Sequence, residues 1–268
     1  MQIQHNIAAL NATRQLGINN SAASKSLEKL SSGFRINRSG DDAAGLAISE
    51  KMRAQISGLE QSQRNAQDGI SMIQTAEGAL TEVHSMLNRM KELSVQAANG
   101  TYDDTVDRAA LNAESTQLKS EIDNILTNTK FNDIALLDGT LNVNIQIGVS
   151  SAETLAMNLT TTDISGVGTI TLDTQANANT AVDTITDDIN LVSTFRAQLG
   201  ALQNRLEHSV NNIGVAAENV TAAESRIRDV DMAKEMMNFT KNNILMQAAQ
   251  SMLAQANSQP QGVLQLLR

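Results

Sequence analysis

The fold of this chain is decided by the sequence VDTITDDINLVSTFRAQLGALQNRLEHSVNNIGVAAENVTAAESRIRDV, which spans residues 182–230. Its apolar side chains recur every three or four positions from Val182 to Val230, in 14 steps over 48 residues with a mean step of 3.43. This spacing lies close to the 3.5-residue repeat of a left-handed coiled coil. The stretch contains no proline, so the pattern predicts one long, uninterrupted helix.

A second stretch of the same kind lies in the first half of the chain. From Met52 to Ala97, apolar residues recur in 13 steps over 45 residues, a mean step of 3.46, with a glutamine at one step. Residues 39–42 offer N-cap side chains and Asn99-Gly100 offers a stop signal, so this helix is predicted over residues 43–99. Two long helices of equal period predict a mainly α fold, built as a long antiparallel helical rod that resembles a coiled-coil bundle.

The segment between the two long helices has a different pattern. A run over residues 103–128 carries an apolar stripe and predicts a shorter helix. Apolar and polar side chains alternate with period two from Leu141 to Ile147, and residues 154–159 form a second strand-like run after a turn. This pattern predicts a small β-hairpin region within residues 138–172. The Thr- and Asn-rich stretch 160–180 predicts the loop that leads into the second long helix.

Composition excludes several classes of function. The chain of 268 residues has no cysteine, which excludes disulfides, cysteine-ligated zinc and a thiol nucleophile. Its net charge is −9 with a pI near 4.8, so neither nucleic acid nor an anionic membrane is a favourable partner. No apolar run is long enough for membrane insertion, and the N-terminus lacks the features of a secretory signal. These signals alone would predict a cytoplasmic protein.

No catalytic, cofactor or metal site is indicated by the sequence. The three histidines lie far apart and in no metal-ligand spacing. Gly166-Val-Gly168 lacks the third glycine and the flanking strand and helix of a dinucleotide-binding loop. Asp41-Asp42 and Asp187-Asp188 could be drawn as carboxylate pairs, but roles in helix caps and first turns explain them more simply. We therefore expect no cofactor and no enzyme activity.

The two ends of the chain carry apolar sets of their own. Both ends are close to neutral, whereas the middle is acidic. A buried helix pair of ordinary kind is one interpretation. The other is an assembly surface, since two such amphipathic helices beyond the main bundle would leave apolar faces exposed in a monomer. The residues predicted for this surface are Ile3, Ile7, Leu10, Leu27, Leu30, Phe34, Met232, Met236, Phe239, Leu245, Met252, Leu253, Val263, Leu264, Leu266 and Leu267.

Several blocks in order at both termini resemble bacterial flagellins of a short form. The blocks are Asn6-Ile-Ala-Ala-Leu-Asn11, Leu27-Glu-Lys-Leu-Ser-Ser-Gly-Phe-Arg-Ile-Asn37, Asp41-Asp-Ala-Ala-Gly-Leu-Ala-Ile48, Ala222-Ala-Glu-Ser-Arg-Ile-Arg-Asp-Val-Asp231, Gln255-Ala-Asn257 and Val263-Leu-Gln-Leu-Leu-Arg268. The resemblance implies an inner layer of paired terminal helices from residues 1–42 with 229–268. It implies a rod domain from residues 43–228 with the hairpin, and no outer variable domain.

The resemblance also implies what the protein does and what it binds. Flagellins self-polymerise into the extracellular flagellar filament that drives swimming. They are secreted unfolded through a flagellar type III export apparatus, without a cleavable signal, which overturns the cytoplasmic expectation. The implied partners are further copies of the chain, the flagellar cap and hook–filament junction proteins, an export chaperone and the export apparatus. A hook–filament junction or accessory secreted flagellar protein with similar ends is the alternative.

One segment resembles the contact that flagellins make with the flagellin-sensing Toll-like receptor. Arg89, Glu92 and Leu93 match the family segment, while Asn88, Met90 and Lys91 depart from it. The alternative is that Leu93 faces the bundle and that Arg89 and Glu92 form a solvated pair three residues apart on one helix.

Overall fold

The computed structural model describes residues 6–139, 141–159 and 170–266. The described part of the chain folds into five helices and two pairs of short antiparallel strands, which agrees with the predicted mainly α class. In chain order the elements are α1 (Ile7–Ser32), α2 (Ala43–Ala97), α3 (Asp107–Asn128), β1 (Lys130–Phe131), β2 (Ile134–Ala135), β3 (Leu141–Gln146), β4 (Thr154–Leu159), α4 (Gln175–Arg228) and α5 (Met232–Leu266).

The chain divides into two compact units. The terminal unit comprises Met1–Ile56 and Glu218–Arg268, and the central unit comprises Ser57–Ala217. In the part that the structure describes, no helix is long and apolar enough to cross a membrane.

The predicted 3.5-residue repeat forms the core of the central unit. Repeat positions on both long helices are buried, among them Ile73, Leu80, Leu87, Ile185, Leu199 and Leu206. Gln175 donates to the carbonyl of Ala98 at 3.0 Å near the start of α4, and Arg196 of α4 pairs with Glu77 of α2 at 3.6 Å. These contacts show that α4 runs antiparallel to α2, as predicted.

The predicted β-hairpin is present and covers one side of the central core. Strands β3 and β4 pair antiparallel from Leu141↔Leu159 to Gln146↔Thr154. Alternate side chains of the hairpin, such as Ile145, are buried in the core. Gly69 of α2 lies directly beneath the Ile145 side chain, and a Cβ at position 69 would collide with it. The glycine therefore permits the close approach of helix and hairpin.

A second, tighter hairpin is missing from the sequence prediction. Strands β1 and β2 are joined by Asn132 and Asp133, whose φ angles are 49° and 63°. Two consecutive residues with positive φ form the kind of two-residue turn that matches the twist of a hairpin, and Asn and Asp tolerate this conformation better than other non-glycine residues.

Two helix starts differ from the prediction. Helix α3 begins at Asp107 rather than 103, because the Asp103 side chain accepts hydrogen bonds from the backbone N–H and the hydroxyl of Thr105 and holds a turn. Helix α4 begins at Gln175, so residues 175–180 are not part of the predicted loop. The hydroxyl of Thr174 accepts from the N–H of Asn177 at 3.2 Å and caps this earlier start.

The terminal unit pairs α1 with α5. The Asn6 side chain caps α1 by accepting from the N–H of Ala9 at 3.0 Å, and it donates to the carbonyl of Ala256 in α5 at 2.7 Å. At the other end of α1, Gly33 has a φ of 76° and forms a left-handed C-cap. The Gly33 carbonyl accepts from the N–H of Val230 at 3.0 Å, so the two helices run antiparallel.

Candidate assembly surface and receptor-contact segment

The paired helices α1 and α5 expose a broad set of large apolar side chains. On α1, Leu10 is 71% exposed and Ile7 and Leu27 are each 55% exposed. On α5, Met237 is 66% and Met252 is 65% exposed. Met232, Met236, Ile244 and Leu245 belong to the same exposed set. The pairing of α1 with α5 therefore leaves much of their apolar surface in contact with water.

The other residues predicted for this surface fall into two groups. Leu30, Phe34, Phe239 and Leu253 are half-buried in the terminal unit. Ile3 and Leu267 lie outside the described residues, and Val263, Leu264 and Leu266 lie in the part of α5 whose side chains are not described.

One face of α5 forms an open groove of about 400 Å³. Met236, Met237, Thr240, Lys241 and Ile244 line it, and most of its surface is apolar. Methionine side chains are flexible and adapt to different neighbours, which suits a surface that packs anew when a partner arrives. Met236 belongs to the surface predicted from the sequence, whereas Met237 and Ile244 belong to the same apolar end of the chain but not to the predicted set.

Polar contacts connect the C-terminal end of α1 with the C-terminal end of α4. Arg228 lies over the ring of Phe34, with 4.7 Å from the guanidinium carbon to the ring centroid, and pairs with Glu50 of α2 at 2.7 Å. The backbone N–H of Arg35 donates to the carbonyl of Arg228 at 2.6 Å, and Phe34 and Asp229 form a β-bridge. These contacts hold the ends of α1 and α4 together.

The receptor-contact residues do not share one environment. Arg89 and Glu92 are exposed, with 3.1 Å between the Arg89 Nη1 and Glu92 Oε2 atoms. Arg89 also pairs with Glu114 of α3 at 2.9 Å, and the hydrogen bonds that Arg89 donates to both carboxylates raise the pKa of its guanidinium. Leu93, by contrast, is 1% exposed within the central core. The surface that a partner could touch is thus the ion-paired group, and Leu93 supports it from below.

The aspartate pairs have two different roles. Asp42 accepts from the N–H of Gly45 at 2.8 Å and caps α2, as predicted. Asp41 accepts from the N–H groups of Asn37 and Arg38, which lowers its pKa below the usual 3.8. The cap interpretation is wrong for Asp187-Asp188, because both residues lie within α4, more than two turns beyond its start.

Comparison with known proteins identifies the family. Residues 3–142 match the family model for the bacterial flagellin N-terminal helical region, and residues 182–267 match the model for the C-terminal helical region. The chain belongs to the bacterial flagellin family. The N-terminal match includes α1 and the C-terminal match includes α5, the two helices that carry the exposed apolar surface.

Full-length flagellins are similar to the chain throughout. A flagellin from Halalkalibacterium halodurans is 58% identical over 273 residues, and one from Bacillus subtilis strain 168 is 53% identical over 304 residues. Both alignments cover the whole of each chain. Among solved structures, Bacillus cereus flagellin matches with a TM-score of 0.52 and 36% identity, covering 60% of this chain and 94% of that one.

The chain is therefore a structural subunit of the flagellar filament and not an enzyme. A filament subunit needs a surface that is covered by other copies of itself, and the exposed face of α1 and α5 has the chemistry for that role. As a component of the flagellar filament the protein is extracellular.

Proposed function

We propose that residues 1–42 with 229–268 form the inner layer of the filament, where neighbouring subunits cover their apolar faces. Residues 43–228 form the surrounding rod layer, with no outer variable domain. The observation that carries the proposal is the exposure of large side chains such as Leu10 and Met237 on both terminal helices. Each large apolar side chain that moves from water into a contact stabilises the assembly by about 1.5–3 kcal/mol.

Assembly into a filament requires an open polymer rather than a closed ring. Contacts between different faces of neighbouring copies generate a helical filament when the rotation between subunits does not close into a ring. Partner subunits that bind the folded terminal unit also stabilise it by mass action. We therefore expect α1 and α5 to be markedly more protected from hydrogen exchange in the filament than in the free subunit.

Seeded growth tests the assembly surface. Met237→Ser, which removes a 66% exposed side chain from the α5 groove, should slow or stop extension of filament seeds by purified subunits. Val149→Ser, which alters a 50% exposed side chain in the turn of the β3–β4 hairpin, is the matched control and should extend seeds normally.

Deletion of residues 232–268 should abolish growth while the central unit stays helical by circular dichroism. Filament growth from the deleted chain would refute the assembly role, and collapse of the remaining helix would refute the separation of the two layers.

The proposed partners beyond the filament itself are the flagellar cap, the hook–filament junction proteins, an export chaperone and the type III export apparatus. The absence of cysteine supports secretion of an unfolded chain, since no disulfide can form before export. Secretion should fail in a host strain whose export gate has been deleted, while subunits accumulate inside the cell. Unchanged secretion in that strain would refute this route.

We also propose that Arg89 and Glu92 contact the flagellin-sensing Toll-like receptor, with Leu93 holding the segment in place. Their exposure on the free subunit supports the proposal, and rod packing in the filament would cover the same face. Arg89→Ala and Glu92→Ala should each weaken signalling by free subunits about fivefold in a reporter-cell assay, as expected for residues at the rim of a contact.

The control for the receptor assay is Arg64→Ala, because Arg64 is an exposed arginine on the same helix that also bonds a residue three positions away. Its signalling should equal that of the parent chain. Equal signalling by free subunits and intact filaments, or no loss in folded Arg89 and Glu92 variants, would leave these side chains as a solvated ion pair only.

A further inference from the structure

Asp188 is a carboxylate buried in the apolar stripe of α4. It is 6% exposed and lies one helical turn from Ile185 and Val192, both of which are fully buried. Its Oδ2 atom has no hydrogen-bond partner among the residues that the structure describes. Aspartate is almost never buried without a partner, so this position is exceptional.

The register of the bundle shows what lies opposite on α2. The contacts of Gln175 with Ala98 and of Arg196 with Glu77 fix the antiparallel alignment of α4 and α2 on either side of this position. That alignment brings residue 188 level with residues 84–85 of α2. His84 is half-buried there, and its Nδ1 atom also lacks a hydrogen-bond partner within the described ranges.

The charged groups at this level come from all three helices. The ion pair between Arg89 of α2 and Glu114 of α3 aligns the two helices and brings residues near 118 of α3 level with residues 84–85 of α2. Lys119 is half-buried there. Helix α4 itself contributes Asp187, which is exposed. Burial is the main cause that raises the pKa of Asp188, to about 6, and the negative charge of Asp187 adds to it. Helix α2 contributes His84.

We propose that Asp188 is a proton-binding site in the helical core, and that its ionisation loosens the packing of α4 in the central unit. A neutral carboxyl is tolerated among Ile185 and Val192, whereas a carboxylate in the same place loses the hydration of its Oδ2 atom without gaining a hydrogen bond there. The central unit is therefore held more tightly in mildly acidic surroundings than in neutral or alkaline ones.

The direction of the effect follows from the proton balance. In the unfolded chain Asp188 ionises near its ordinary pKa of 3.8, and in the folded chain near 6. Between these values the folded state holds the proton more strongly, so stability falls as the pH rises and stays low above 6. The difference between the two pKa values corresponds to an about 100-fold change in the unfolding equilibrium constant.

The test compares the intact chain with Asp188→Asn by urea unfolding across the pH range, at concentrations too low for polymerisation. The amide keeps the shape of the side chain but cannot ionise. We expect the unfolding constant of the parent chain, divided by that of the variant, to rise about 100-fold from below pH 4 to above pH 7. The prediction concerns only how this ratio changes with pH. A pH-independent effect of the amide on stability does not alter that change, and the titration of groups that both chains share cancels in the ratio.

Two controls locate the effect. Asp187→Asn should retain most of the pH dependence, because it removes only the smaller of the two causes. His84→Asn should retain it as well, and loss of the dependence in that variant would assign the proton to the histidine and overturn the proposal. If Asp188→Asn does not fold, Asp188→Leu fills the stripe with an apolar side chain and serves in the same comparison.

Hydrogen exchange gives a local reading of the same event. Amides in the segment 183–195, corrected for the intrinsic pH dependence of exchange, should open more readily above pH 7 than near pH 5 in the parent chain, and equally at both values in Asp188→Asn. A ratio that does not change with pH, or opening that does not differ between the two chains, overturns the proposal.

Discussion

Replacing Arg108 should destabilise the corner between α2 and α3 more than replacing any exposed arginine. Arg108 is 4% exposed and donates to the carbonyls of Ala97, Asn99 and Tyr102 at 2.7, 2.8 and 2.9 Å. It also pairs with Asp104. The guanidinium thus binds the last carbonyl groups of α2 and the loop that follows, where no further helical N–H is available.

The expected loss can be worked out from these bonds. A hydrogen bond with a charged partner contributes about 1.5–3 kcal/mol, and three lost bonds would total at least about 4.5 kcal/mol. Water that enters the opened corner recovers part of this, so we expect Arg108→Ala to lower the free energy of unfolding by about 3–4 kcal/mol. With an m value of about 2 kcal/mol/M, the urea midpoint should fall by about 1.5–2 M.

The chain carries its own probe for this measurement. Tyr102 is the single tyrosine and there is no tryptophan, so tyrosine fluorescence reports on the corner while far-UV circular dichroism reports on the helices. Arg64→Ala, at an exposed position of α2, should leave both midpoints unchanged. If the Arg108→Ala midpoint stays within about 0.3 M of the parent, the corner is held by other contacts and the reasoning is wrong.

Three further predictions concern the helices and one loop. Leu87→Ala, in the core of the central unit, should cost about 3–5 kcal/mol by urea unfolding of the free subunit, whereas Leu10→Ala at an exposed position should cost little until filaments form. Gly33→Ala should destabilise the end of α1 by about 1 kcal/mol, because the φ of Gly33 is 76°. Gly78→Ala should stabilise α2 by about 0.5–1 kcal/mol, because a Cβ at this position meets open space. The melting temperatures of the two variants should therefore shift in opposite directions. The pKa of Asp41 is lowered because its carboxylate accepts hydrogen bonds from the N–H groups of Asn37 and Arg38. These hydrogen bonds should therefore be present above the ordinary pKa of 3.8 and be lost as the pH falls through the lower pKa of the folded chain. The amide chemical shift of Asn37 would follow this loss.

The long helices could be predicted because their signal is repeated many times. Burial of Leu80, Leu87 and Leu199 follows directly from the 3.5-residue spacing, and the hairpin follows from strict alternation over the seven residues 141–147. The β1–β2 hairpin has only two residues in each strand, too few for a periodic pattern. The Asn132-Asp133 turn was its only local signal.

The sites were harder to predict because they depend on neighbours that the sequence does not show. Burial of Leu93 and exposure of Arg89 follow from the helix period. The bond from Arg89 to Glu114, by contrast, joins residues 25 positions apart on two helices. Asp187 and Asp188 were both explained by a role at the start of a helix, whereas the packing of α4 buries Asp188 and leaves Asp187 exposed. The exposed face of α1 and α5 could be predicted because two amphipathic helices beyond the main bundle leave apolar side chains exposed in a monomer.

The pairing of α1 with α5 also determines the order in which the parts of the molecule can fold. The bond from Asn6 to Ala256 joins residues 250 positions apart, and the bond from Arg35 to Ile227 joins residues 192 positions apart. Contacts of such separation form slowly, because a long intervening chain must be ordered before they can close. The contacts of the central unit lie within residues 57–217, whereas α1 finds its partner only when α5, from the other end of the chain, is in place. The adhesive surface is thus the last part of the fold to be completed, which delays contacts between copies until each copy has folded.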